Sequence, residues 1–537
     1  MAVERHKDRL KSLMRWIGVG VALGLLVALL DPTGKLFSGW LAYTFLGAIG
    51  VLALWGAWRW IGGPNALVAA VAVAVILRLI VGLGLRAGLP AFGYPDSEPH
   101  QAGYFYLDAY RRDLDAWRLA QLSVPLTDAF SDQAESDQYG GLLFASGLIY
   151  RTLSPSEHRP MLPIVMNAIV GGLALLFTWG FVKLSFGSKP GMFAAWGVAV
   201  YPEAVLLGAS QMREPLLIGL LAGMLYGYAR YRNGDGKIGI AIIIAAAGIA
   251  LAVSPPYALL MLAVVLVGLV WEVQARHKAQ WIGVALVVVL GLLALSLTVG
   301  AWQKVTAGSS PNPLALVGAW ISDGARFELF KLERGSGWVQ LLFDRTPEWA
   351  NIPMATGNGL VQPFFPATLM DSTSLPLPRA IGIARGLGWF LLLPFLVYVP
   401  FAALRGAGWR SLQTYLTLVV WIVMIGASYR LAGDQWDNPR ARAVFLAPQM
   451  ALAGWAWYHA REVKSPWLLR SGVLVGVASL LFIQWYAGRY YQTPRLSLFK
   501  TVGVLAVFAV VFLVGAVVLD VVGARREARL TTDAPEV

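Results

Sequence analysis

Acid and guanidinium side chains are scarce in this chain and gather at a few places. The decapeptide DAYRRDLDAW, residues 108–117, carries Asp108, Asp113 and Asp115 together with Arg111 and Arg112. Further carboxylates stand at Asp96 and Glu98 in YPDSE, and at Asp137 in SDQYGG beside Tyr139. Glu214 follows Arg213 in QMREP, and Asp434 and Asp437 precede Arg440 and Arg442 in GDQWDNPRAR. A positioned carboxylate can take the proton of a hydroxyl nucleophile, and guanidinium groups can meet the negative charge that grows on a departing phosphate. Taken singly, each acid reads equally as a solvated loop residue or a salt-bridge partner. Glu214 also suits a helix N-terminus, where a carboxylate faces the positive end of the macrodipole. Arg440 and Arg442 also suit an interfacial flank reaching toward headgroups.

Other chemistries find little support. The chain has no cysteine, which removes disulfides, thiolate nucleophiles and thiolate metal sites. Its five histidines are scattered, without metal-cage spacing. GSKPG at 187–191 lacks the Walker spacing, and there is no G-x-S-x-G elbow, so neither an ATP-driven transporter nor a serine hydrolase is indicated.

The elements that must hold these groups are apolar. Of 537 residues, 57% are hydrophobic and only 14% charged, and the mean hydropathy is +0.62. That balance places the chain among polytopic membrane proteins. About fourteen runs are long enough to cross a bilayer as helices. They fall at 13–30, 36–58, 64–86, 161–184, 190–208, 213–231, 237–254, 256–273, 280–300, 384–404, 411–429, 441–459, 467–487 and 499–523. The apolar block 237–273 is divided at Ser254-Pro255-Pro256 because consecutive prolines break a helix. Arg78 lies inside a span, where a charge is costly without a partner, so an internal partner is expected for it.

With the basic N-terminus MAVERHKDRLKS cytoplasmic, alternate connections carry Arg59, Lys183 and Lys189, Arg230 and Arg232, Arg276, Arg405 and Arg410, Arg461, and the tail arginines 525, 526 and 529. Both termini are then cytoplasmic. The net charge of +13 needs no nucleic acid to explain it. Two long segments, 87–160 and 301–383, fall on the extracytoplasmic side, as do the acid and arginine clusters; loops of that length commonly carry function. The organisation expected is two additional N-terminal helices (1–63), a transmembrane core (64–300) that includes the first outer loop, a second outer loop (301–383), C-terminal helices (384–523) and a cytoplasmic tail (524–537).

At four places the sequence resembles the GT-C glycosyltransferases. DLDAWRLA (113–120) is similar to that family's first outer loop, and QYGGLLFASGLIYRTLSP (138–155) to its juxtamembrane helix. QMREPLL (211–217) resembles its acidic motif at an outer helix end, and WDNPRARAVFLAPQMALAG (436–454) its late-helix signature. The resemblance implies an all-α GT-C-like fold in the cell membrane. It implies inverting transfer of a sugar from a polyprenyl-phosphate donor to an acceptor hydroxyl on a lipid, glycan or protein. On the family's spacing Asp113 is the expected base, with Asp108 second and Asp96 as replacement. Arg111, Arg112, Arg213, Glu214, Asp137, Tyr139, Arg440 and Arg442 are the expected substrate-binding residues. Should the reaction use a divalent metal, Asp113 and Glu214 are its expected ligands. The competing classes are a secondary transporter or flippase of lipid-linked sugars, and an O-antigen ligase or polymerase. The related halves of many transporters are not visible in the chain.

Overall fold

The structure is a computed structural model. It describes residues 17–31, 33–131, 139–273, scattered positions between 285 and 296, 346–431 and 433–532. The candidate residue Asp137, most of the 280–300 run and the 301–345 part of the second expected loop lie outside them. The described residues form helices joined by short turns, and no strand occurs among them. Eight of these helices are long and apolar enough to cross a membrane, and a bent helix pair makes a ninth. The chain is thus a polytopic membrane protein.

The fourteen expected spans meet this count unevenly, for physical reasons. Run 190–208 is two helices, Ser188–Val200 and Pro202–Gly208, bent by 53° at Tyr201. Run 213–231 is one helix, Glu214–Arg232, but charge at both ends makes it less apolar than the eight. Run 441–459 is also divided: a short helix Asp437–Ala443 precedes Leu446–Glu462. The first run gives the short apolar helix Ile17–Leu30.

Arg78, in the Asn65–Phe92 helix, explains how the broken span is tolerated. Helix ends leave carbonyls without donors, and hydrocarbon supplies none. The buried Arg78 guanidinium donates from Nη2 to the carbonyl of Val198 (3.2 Å), and from Nη1 to those of Ala199 (3.2 Å) and Ala74 (2.8 Å). Gly208 makes room for it, since a Cβ there would lie 2.7 Å from Arg78 Cδ.

The first expected outer loop is folded. The Leu107–Gln121 helix buries Ala109, Arg112, Asp113, Ala116, Leu119 and Ala120, a helical stripe set among charged positions. That stripe packs on the Gly141–Leu153 helix, where Trp117 meets Tyr150 edge to face at 5.6 Å. Arg151 donates to the carbonyls of Leu119 (2.6 Å), Leu122 (3.0 Å) and Val124 (2.9 Å), closing the C-terminal end of the first helix. Gly103, at φ +81, starts the turn into this unit; a Cβ there would stand 2.9 Å from Arg86 backbone atoms.

Candidate active site

Three helix starts converge. The Leu107–Gln121 helix carries Asp108 in its first turn, the Glu214–Arg232 helix begins at Glu214, and the Asp437–Ala443 helix carries Asp437 and Arg440. The last of these is set by Asp434, whose Oδ1 accepts the backbone N–H of Trp436 (2.7 Å) and of Asp437 (2.6 Å). This is the local bond that makes Asp a good helix initiator.

Arg440 joins the three. Its Nη2 lies 3.1 Å from Asp108 Oδ2 and 3.0 Å from Glu214 Oε1, its Nε donates to the same Glu214 oxygen at 3.3 Å, and its Nη1 is 2.7 Å from Asp437 Oδ1. Its guanidinium also stands 5.4 Å over the Tyr106 ring. Burial opposes the charge on Arg440, but Glu214, Asp437 and Asp108 outweigh it and hold the group well above the ordinary guanidinium range. Arg112 Nη2 makes a looser contact with Asp108 Oδ2, at 3.8 Å. Exposure separates the acids: Asp108 is 46% and Asp437 48% exposed at the side chain, while Glu214 is 6%.

Asp108 and Arg440 line an open cavity of about 340 Å³ with Tyr94, Ser97, His100, Phe105, Tyr106, Leu107, Pro378 and Trp436. One wall is a run of rings. Tyr94 stacks on His100 (5.5 Å), His100 on Phe105 (6.0 Å), and Phe105 meets Trp436 edge-on (5.2 Å). His100 Nδ1 accepts the backbone N–H of Tyr94 at 3.0 Å, and burial lowers its pKa below the usual 6.5, so the ring is held neutral. Behind the wall, Arg385 and Glu203 form a buried two-bond ion pair, at 2.5 Å and 3.1 Å. The Arg385 guanidinium lies 4.7 Å over the Trp436 ring and donates to the Trp436 carbonyl at 3.4 Å.

The other expected residues are placed differently. Asp113 is fully buried. Its Oδ1 accepts the Tyr150 hydroxyl, and its Oδ2 accepts the Tyr104 hydroxyl and lies 2.8 Å from His158 Nε2. It faces the packing between the Leu107–Gln121 and Gly141–Leu153 helices, not the cavity. Asp96 and Arg111 are exposed, and neither lines the cavity. Arg213 lies 5.2 Å from the Tyr139 ring, with Nε and Nη1 buried and without hydrogen-bond partners among the described residues. Arg442 is buried; it donates to the carbonyls of Leu360 (2.9 Å), Gly359 (3.4 Å) and Gln362, and lies 4.0 Å over the Trp389 ring. It therefore closes the C-terminal end of the Glu348–Val361 helix.

Sequence reasoning passed over Tyr106 and the Arg385–Glu203 pair, met His100 only as one of five scattered histidines, and named Asp437 among the acids without giving it a role. The acid beside Pro202 in an apolar run was a usable sign for Glu203; nothing marked the ring wall, since most tryptophans and tyrosines of a membrane protein are interfacial anchors.

No family model matches the chain, and no curated protein matches it. Among solved structures, the archaeal oligosaccharyltransferase AglB from Archaeoglobus fulgidus, in complex with an inhibitory peptide and a dolichol-phosphate, aligns at 14% identity with a TM-score of 0.35. The alignment covers 83% of this chain and 54% of that one. The Archaeoglobus fulgidus oligosaccharyltransferase in complex with zinc and sulfate aligns at 15% identity and a TM-score of 0.37, over 79% of this chain and 53% of that one. The chain spans about half the length of these structures.

Proposed function

We propose that this protein is an inverting membrane glycosyltransferase that moves a sugar from a polyprenyl-phosphate donor to an acceptor hydroxyl at the extracytoplasmic face. The observation that carries the reading is Arg440, which binds carboxylates from three distant segments at the wall of one ring-lined cavity. A glycosyl transfer needs such a set: an acid-base group, fixed positive charge and a surface for a sugar ring.

Asp108 is the base. It is the cavity carboxylate with one oxygen tied to Arg440 and a half-exposed side chain. As the acceptor oxygen bonds to the anomeric carbon, its proton passes to Asp108. The bond from that carbon to the phosphate oxygen breaks on the opposite face, and the electron pair leaves with the polyprenyl phosphate. Attack from the opposite face inverts the anomeric centre. Arg213 has two buried nitrogens without hydrogen-bond partners among the described residues, and Arg112 sits beside Asp108; these are the guanidinium groups assigned to the phosphate. Arg440 fixes Asp108 and Glu214 and is less available to substrate. The neutral rings of His100, Phe105 and Trp436 offer apolar faces to the sugar's C–H surface. The extracytoplasmic assignment follows the alternation of basic connections in the sequence.

Purified protein incubated with a panel of polyprenyl-phosphate sugars and acceptors, with products read by mass spectrometry, tests the reading. A product of inverted anomeric configuration is expected. Protein-dependent movement of lipid-linked sugar across vesicles without covalent product would replace this reading with the flippase class.

A further inference from the structure

Carboxylates reaching one point from separate segments are the usual setting of a divalent cation, which takes hard oxygen ligands. In this chain the point is held by a side chain. Asp108, Glu214 and Asp437 each place an oxygen within 3.1 Å of an Arg440 nitrogen. The pair that the family resemblance offers as metal ligands does not fit one. Both oxygens of Asp113 are taken by Tyr104, Tyr150 and His158, and Glu214 Oε1 is taken by Arg440; Glu214 Oε2 is buried without a hydrogen-bond partner among the described residues, which is a single ligand and not a site. Among the described residues, no group of three or more His, Asp or Glu side chains is arranged to hold a metal.

Charge argues the same way. Three carboxylates contribute −3, while Arg440, Arg112 and Arg213, all of which act on Glu214, contribute +3. With Asp434, which acts on Asp437, counted as well, the cluster carries a net −1, little excess negative charge to attract an ion of charge two. A guanidinium also presents several donors in one plane and keeps its charge at any working pH, so it can hold three acids in register.

We propose that Arg440 is a built-in cation that stands where a divalent metal would sit, so that the protein binds no divalent metal between Asp108, Glu214 and Asp437. As a consequence, and resting on the transferase reading, sugar transfer is independent of divalent metal.

The experiment uses the full chain in detergent, stripped with chelator and titrated with Mn2+, Mg2+ and Zn2+, with binding read by calorimetry and Tm by thermal unfolding. Wild-type protein is expected to show no saturable binding that Glu214→Gln removes. Arg440→Ala, which leaves the three carboxylates facing only Arg112 and Arg213 and opens the point between them, is expected to gain a Mn2+-dependent rise in Tm that chelator reverses. One Mn2+ per wild-type chain, lost in Glu214→Gln, would overturn the proposal, as would a folded Arg440→Ala variant that gains nothing. If Arg440→Ala does not fold, the wild-type titration decides. These readouts need no substrate, so a missing transferase activity leaves this inference standing and removes only the functional reading. Transfer that is lost in chelator and restored by Mn2+ would sink the metal-independent consequence while supporting the transferase.

Discussion

Arg440 Nη2 lies 3.1 Å from Asp108 Oδ2, joining the start of the first folded loop to a helix 332 residues later. The contact fixes one carboxylate oxygen and leaves the side chain half exposed on the cavity. Asp108→Asn keeps the shape and removes the base. Transfer should fall by about 10²- to 10⁴-fold, the usual worth of a positioned proton acceptor. Glu214 remains tied to Arg440 in that variant, so expression and Tm should stay close to wild type. Retained turnover in a well-folded Asp108→Asn protein would take Asp108 out of the mechanism.

Asp113 should behave in the opposite manner. Three donors converge on its buried carboxylate, and an amide replaces one acceptor oxygen with a group that can only donate. Asp113→Asn should therefore lower stability by about 1–3 kcal/mol, the cost of a buried polar group left unmatched. Thermal unfolding in detergent measures this directly. An unchanged Tm with abolished transfer would return the base to Asp113.

How far the sequence carried these assignments follows from what each residue depends on. Apolar length is a local property, so most helices could be read, and so could the segments around Asp108, Glu214 and Arg440, where charge is conspicuous in an apolar chain. Direction is not local. Five residues turn a helix by about 140°, so Asp108 and Asp113 point into different surroundings, and only packing decides which meets Arg440. The two arginines of NPRAR divide in the same way: Arg440 faces the acids, and Arg442 turns to carbonyls of a helix about eighty residues earlier. The spans that ran differently from expectation did so at Pro202, where the break is met by Arg78 about 120 residues earlier, and before Leu446, where Gln449 Nε2 donates to the Arg442 carbonyl.

His100 gives the cavity wall a pH dependence. Its pKa is lowered by burial, so the unfolded chain binds a proton there more readily than the folded one. Its contribution to stability is present above the ordinary value of 6.5 and is lost as pH falls through and below it. The difference between wild type and His100→Gln isolates this term. Between pH 7 and pH 5, wild-type Tm should fall more steeply than that of His100→Gln. Equal slopes would mean that the imidazole is not held neutral against Tyr94 and Phe105.

The Arg385–Glu203 pair supports the cavity from behind, and its value should appear as a coupling. Both side chains are about 2% exposed, so removing one leaves a charge in an apolar setting at a cost of about 3–5 kcal/mol. Glu203→Gln and Arg385→Met should each be strongly destabilising. The double variant should be less so than the sum, because it leaves no lone charge. Arg385 also stacks on Trp436, whose ring lines the cavity two residues after Asp434 sets the turn. Variants that still fold should therefore raise KM for the sugar donor more than they lower kcat, since they move the ring wall and leave Asp108 and Arg440 bonded. Additive single effects on Tm would show that the two groups do not act as a pair, and an unchanged KM would show that Trp436 is positioned by something other than Arg385.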